Sequence, residues 1–265
     1  MSLKNKIRGL KEIWQFENRL PLILTRTLFP RERLYVYRYK GVEFLTDVEG
    51  GDANGARQVL TSPMYLRFLP QMELRGPVNV LDIGANNGGF PLMLIANGVA
   101  LKKVVSVELN PNTFQRLRFN LERNLNCEVV AMNAAVCGEG RQLDVSLGAG
   151  SSGDSIYRRS DVSIENAYQI EIEGITFDEV YERHFKDETV DICKIDIEGA
   201  EFEIFSQPYH RSLGNCRYLI MEIHDGDGRS ADSILSAIEV LGFVRKPQPA
   251  DAEPAVHFFV NSNFE

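Results

Sequence analysis

Four short stretches carry side chains that could do chemistry together. The first is Val80-Leu81-Asp82-Ile83-Gly84-Ala85-Asn86-Asn87-Gly88-Gly89-Phe90, an apolar run ending in an acid, then a Gly-rich turn. A strand entering a helix through such a turn lets backbone approach a ligand closely and aims free helix N–H groups at it. The second stretch ends at Glu108, 24 positions after Gly84. Dinucleotide folds place an acid at about this distance to accept hydrogen bonds from ribose hydroxyls. The third contains Asp196 within Lys194-Ile195-Asp196-Ile197-Glu198-Gly199-Ala200-Glu201, and the fourth is Met221-Glu222-Ile223-His224. On neighbouring parallel strands, Asp196, Glu222 and His224 meet at one rim, as an acid/base group or as ligands for a divalent metal. Plainer roles stand beside these: Glu198 and Glu201 as first-turn helix acids, and His224 as a cap.

The loop discriminates between cofactors. A dinucleotide fingerprint needs a glycine where Asn86 stands, to make room for a pyrophosphate. An acid at Asp82 and an amide at Asn86 suit a ligand bearing an ammonium and a sulfonium, which points to S-adenosylmethionine. A nicotinamide-dependent oxidoreductase and a non-catalytic S-adenosylmethionine-binding module are the alternatives.

The elements that must position these residues follow from the pattern of apolar runs. From Pro77 onward, strand-length runs at Val78–Ile83, Lys103–Glu108, Glu128–Ala134, Val190–Ile195 and Tyr218–Ile223 alternate with helical stretches beginning near Gly89, Asn112, Ala200 and Ser230. This is the signature of a doubly wound α/β sheet with helices on both faces, whose ligands bind at the carboxyl rim of the strands. Phe243–Lys246 and His257–Val260 add a closing hairpin, which makes a seven-stranded, mostly parallel sheet with an antiparallel last strand. An insertion near 138–177 breaks the alternation with strands at Gln142–Leu147 and Gln169–Glu173 around a Gly/Ser loop. Its role is a hairpin wing, with the loop as substrate lid or linker.

Residues 1–76 read as an extension packed on a main domain at 77–265. An amphipathic helix over Lys4–Arg19 serves either packing on that domain or binding to a membrane surface or partner. Arg33–Val48 is strand-like and Asp52–Leu69 helical. Residues 1–40 hold ten Lys or Arg against three Glu, so a net +7 there leaves −15 on the rest of a chain whose total is −8. An acidic body argues against nonspecific nucleic-acid binding. No apolar stretch reaches the ~20 residues of a membrane span, and no secretory signal is expected. The four cysteines lack C-x-x-C spacing, so free thiols in a reducing cytoplasm are expected.

The segments Leu81-Asp82-Ile83-Gly84-Ala85-Asn86, Lys194-Ile195-Asp196-Ile197-Glu198-Gly199-Ala200-Glu201 and Glu222-Ile223-His224 together resemble the FkbM family of S-adenosylmethionine-dependent methyltransferases, over roughly Pro77 to Val260. The resemblance implies a class I methyltransferase, Rossmann-like fold and O-methylation of a hydroxyl on a sugar or secondary metabolite. It places Asn133-Ala134-Ala135-Val136 beside the adenine. The expected cofactor set is Asp82, Gly84, Ala85, Asn86, Gly88, Glu108, Asn133, Ala135 and Asp196. The expected catalytic set is Asp196, Glu222 and His224, with His224 or Asp196 as general base.

Overall fold

A computed structural model describes residues 12–29, 31–50, 52, 55–148, 155–156, 168–224, 230–247 and 255–264. The chain enters through α1, Arg19–Leu28, and a hairpin of β1, Leu34–Tyr39, and β2, Val42–Asp47. Of the helix expected over Lys4–Arg19, residues 12 and 13 are helical, residues 14–18 turn, and a separate helix begins at Arg19; residues 4–11 lie outside the described residues. Two contacts explain the break. The backbone N–H of Glu17 donates to Arg38 O, and Asn18 donates to Val36 O while accepting from Arg38 N. This pulls residues 17–18 onto the edge of β1. Pro21 is tolerated because it sits in the first turn, where helix N–H groups have no partner.

The helix expected over Asp52–Leu69 is instead two pieces: α2, Ala56–Thr61, and a 3-10 turn, Leu66–Gln71. Ser62 between them is extended at φ −107° and ψ 158°. Pro63 follows it, and the proline ring disfavours helical backbone at the preceding residue.

The central sheet begins with β3, Val78–Ile83, and passes through α3, Gly89–Ala96, to β4, Leu101–Glu108. Next come α4, Pro111–Asn124; β5, Glu128–Asn133; and three strands of a side sheet, β6 at Ala135–Val136, β7 at Arg141–Leu147 and β8 at Tyr168–Ile175. The chain then returns through α5, Phe177–His184, to β9, Val190–Ile195; α6, Glu201–Ser206; and β10, Cys216–Glu222. It closes with α7, Ala231–Val240; β11, Phe243–Arg245; and β12, Val256–Asn261. The strand order is β11-β12-β10-β9-β3-β4-β5, and β12 pairs antiparallel with both its neighbours. Every residue of β3 is buried, as expected for a central parallel strand covered on both faces. The expected hairpin wing is present as β7 against β8. Residues 149–154 and 157–167 of its connecting loop lie outside the described residues.

The segment before β3 is tied to the sheet by side chains of α4. Asn120 accepts from Leu45 N at 2.7 Å and donates to Leu45 O at 3.0 Å, and Asn124 accepts from Glu43 N at 2.9 Å. Two helix amides thus stand in for a neighbouring strand along β2 and satisfy an edge that would otherwise be open. Cys137, Cys193 and Cys216 are buried free thiols, and Cys127 is a half-buried one.

Candidate active site

A cavity of about 270 Å³ opens at the carboxyl ends of β3, β4, β9 and β10. Gly84, at the end of β3, turns at φ +75°. A Cβ there would lie 1.7 Å from the carbonyl oxygen of Asp196. The glycine is required because the chain leaving β3 lies tight against the chain leaving its parallel neighbour β9, so the glycine serves this close backbone approach first. Asn86 takes the left-handed conformation at φ 48°, and its side-chain oxygen accepts from Asn87 N at 2.7 Å. Asn is one of the few side chains that tolerate that backbone without glycine.

Glu108 holds the loop from the neighbouring strand. Its Oε2 accepts from Asn86 N and its Oε1 from Asn110 N, each at 2.8 Å. A carboxylate has about four lone-pair sites, so it can receive hydroxyl donors beside these two amides. Ala134, Ala135 and Val136 add an apolar flank to the cavity.

Asp196 and Glu222 line the opposite side. The Tyr65 hydroxyl donates to Asp196 Oδ2 at 2.9 Å. Burial, and then the charge of Asp196, push the Tyr65 phenol well above its usual range, so it stays a donor. Lys194 lies 3.5 Å from both Asp82 and Asp196 and donates to Gly84 O at 2.6 Å. Burial pulls its ammonium down, but Asp196, Asp82 and Glu222 outweigh that and leave it raised and charged.

His224 bridges carboxylates. Its Nδ1 lies 3.1 Å from Glu201 Oε1, and its Nε2 lies 3.6 Å from both Glu198 and Glu222. Burial alone would lower its pKa, yet the hydrogen bond and charge of Glu201, with Glu198 and Asp196, push it up to about 9. Glu222 is raised to about 7 by burial and by repulsion from Asp196. Asp196, Glu198 and His224 each offer a ligand atom within 4.8 Å of the others. A cation there would have to displace the imidazolium proton that already balances these acids.

Seven expected site residues line the cavity: Gly84, Ala85, Asn86, Glu108, Ala135, Asp196 and Glu222. Four do not, and each has a local reason. Asp82 is fully buried on β3 and faces Lys194 behind the cavity wall. Gly88 caps α3 at φ +92°, where a Cβ would press on Leu117 and Leu121. Asn133 donates to the carbonyls of Glu108 and Leu109 and so ties β5 to the end of β4. His224 stands behind Glu198 and Glu222, where the carboxylates around it raise its pKa and favour the protonated ring.

Sequence reasoning missed the wall made by residues before β3. Val59, Met64 and Tyr65 line the cavity, as does Ile156 from the insertion. Asn87 joins this wall to the Gly-rich loop, since its side-chain oxygen accepts from Ala56 N, at the start of α2, at 2.6 Å. No local signal reveals this, because a helix capped from another segment lacks its own capping residue.

Comparison with family models decides the relationship, because the methyltransferase FkbM domain matches residues 82–245. The chain belongs to the FkbM methyltransferase family. Its sheet is the Rossmann-like sheet of class I methyltransferases. Methyltransferase FkbM from Methylobacillus flagellatus KT is 15% identical over 74% of this chain and 47% of its own, with a TM-score of 0.48. TrmK of M. capricolum, solved with S-adenosyl-homocysteine, is 11% identical over 71% of this chain and 62% of its own, at 0.40. The tRNA (uracil-54, C5)-methyltransferase of Pyrococcus abyssi, solved with S-adenosyl-L-homocysteine, is 13% identical over 86% and 44%, at 0.43. The FkbM chain described here therefore spans less than two thirds of each of these structures. No curated protein matches it in sequence. The wall from Val59 to Tyr65 lies outside the matched FkbM domain.

Proposed function

We propose that the protein is an S-adenosylmethionine-dependent methyltransferase acting on a hydroxyl of a sugar or secondary metabolite. The observation that carries this reading is a single cavity in which Glu108 and the Gly84–Asn86 loop face Asp196, Glu222 and Tyr65. Residues 77–265 supply the cofactor half and the segment up to residue 76 closes the acceptor half. The cofactor supplies an electrophilic methyl on a sulfonium. Glu108 accepts the ribose hydroxyls, Ala134 to Val136 pack the adenine, and Asp196, fixed by Tyr65 and Lys194, faces the cationic end.

A hydroxyl becomes a good nucleophile as its proton leaves, and a base with a pKa near the working pH removes it best. Glu222, at about 7 and on the cavity wall, is the base this geometry favours. His224 balances the carboxylate charge behind it. Alignment of acceptor oxygen and methyl carbon by the surrounding walls supplies most of the acceleration.

Formation of S-adenosylhomocysteine by the purified chain, with a metabolite screen for added methyl mass, tests the function. Glu108→Ala should weaken S-adenosylmethionine binding by ~1–3 kcal/mol, the cost of losing a charged acceptor, as read by calorimetry. Unchanged affinity would remove the ribose role. If Glu222 is the base, kcat/KM rises with pH through about 7, because only the ionised carboxylate accepts a proton. Glu222→Gln should flatten that limb, and an unaltered profile would assign the base elsewhere.

A further inference from the structure

Of the eleven large apolar side chains exposed among the described residues, seven fall between Trp14 and Val36. The other four are Phe119 on α4, Tyr209 in the loop after α6, Val240 at the end of α7 and Val244 on β11. α1 explains the cluster. It packs inward through Leu22, while Leu20, Leu24 and Leu28, spaced four apart, are 67%, 58% and 61% exposed. A helix that is apolar on both its packed and its free side has a second face to bury. Phe29 extends this face at the end of α1. Leu34 and Val36 lie on the outward side of β1, whose Tyr35 and Tyr37 point inward. Trp14 lies in the turn five residues before α1, with the guanidinium of Arg19 over its ring at 5.0 Å.

The charge of the segment that carries this face selects its partner. Residues 1–40 carry +7 and the remainder −15. Two copies meeting through this face by a twofold axis would bring two net basic segments together, and the described surface shows no second apolar cluster of this size to receive it head-to-tail. We propose that α1, with Trp14 and the outer side of β1, docks on an anionic phospholipid bilayer. Apolar side chains enter the boundary between headgroups and acyl chains, and basic side chains of the same segment, Arg19, Arg26 and Arg31 among the described ones, meet the lipid phosphates. The helix lies in the plane of the surface, since no helix among the described residues is long and apolar enough to cross a membrane. This inference is independent of the methyl-transfer reading.

The chain carries a built-in reporter, because Trp14 is its one tryptophan. Mixing the full chain with vesicles of phosphatidylcholine and phosphatidylglycerol should blue-shift Trp14 emission, allow quenching by brominated lipid and pellet the protein with the vesicles. Vesicles of phosphatidylcholine alone should bind at least ten-fold less, and added salt should weaken binding to the anionic ones. Leu20→Glu/Leu24→Glu/Leu28→Glu, with circular dichroism unchanged, should lose at least ten-fold in partitioning. No shift and no pelleting of wild type with anionic vesicles would overturn the proposal even if the variant misfolds. Equal binding to neutral vesicles would overturn the anionic-lipid assignment. A concentration-dependent dimer that shields Trp14 without lipid would give the face to a second copy instead.

Discussion

Gly84→Ala is expected to destabilise the protein by about 2–5 kcal/mol, ~1–2 from a left-handed backbone and ~1–3 from overpacking. It should also remove cofactor binding. The position leaves no room for relaxation. The φ of +75° disfavours any side chain, and the added Cβ would sit 1.7 Å from Asp196 O, which is backbone and cannot rotate away. Relief requires the ends of β3 and β9 to separate, which moves the loop carrying Asn86 away from Asp196. At ~2–4 °C per kcal/mol for a chain of this size, a thermal melt should show a fall of several degrees, with calorimetric affinity lost. A variant that melts and binds like wild type would mean that the two strand ends do not approach this closely.

Arg116→Met should cost about 3–5 kcal/mol, because it leaves a buried charge without its partner. The guanidinium of Arg116 clasps fully buried Asp52 through both Nε and Nη2, the latter at 2.7 Å from Oδ1. Asp52 also accepts from Asp47 N at 3.0 Å and faces the amide of Asn87 at 3.4 Å. Loss of Arg116 therefore loosens β2, α2 and the Gly-rich loop together, and S-adenosylmethionine affinity should fall with the melting temperature. Burial already holds the Asp52 carboxyl above its usual range against the pull of Arg116. Without that pull its folded pKa rises further, and the penalty grows as pH climbs from the unfolded pKa towards the folded one. The deficit should thus be smaller at about pH 5 than at about pH 8. The double variant Asp52→Leu/Arg116→Met should recover much of the loss, since a buried pair replaced by apolar groups of similar volume is often near neutral. A single variant as stable as wild type would mean that the pair is solvated.

Some of this was legible residue by residue. The runs at Val78, Lys103, Val190 and Tyr218 are strands, because a central parallel strand is buried on both faces and is written as continuous apolar sequence, and the run at Glu128 is the half-buried edge strand beside them. The acid 24 positions after Gly84 faces the same cavity as the loop, because one crossover unit fixes the spacing between successive strand ends. Where an expected residue does not line the cavity, the cause is a contact from elsewhere. Asp82 looked like a ligand residue, but strand alternation and Lys194 turn it away from the cavity. His224 is expected as a base, and Glu201, Glu198 and Asp196, from another segment, raise its pKa and favour the protonated ring.

Local periodicity thus fixes the sheet, its carboxyl rim and the acids that stand on it, since each depends on neighbours within a strand or one crossover. Packing alone decides that Tyr65 donates to Asp196 across 131 positions, that Asn87 caps α2, and which carboxylate near His224 can take a proton. A hydrogen-bond partner or a shifted pKa belongs to an environment assembled from distant segments, and no window of sequence contains that environment.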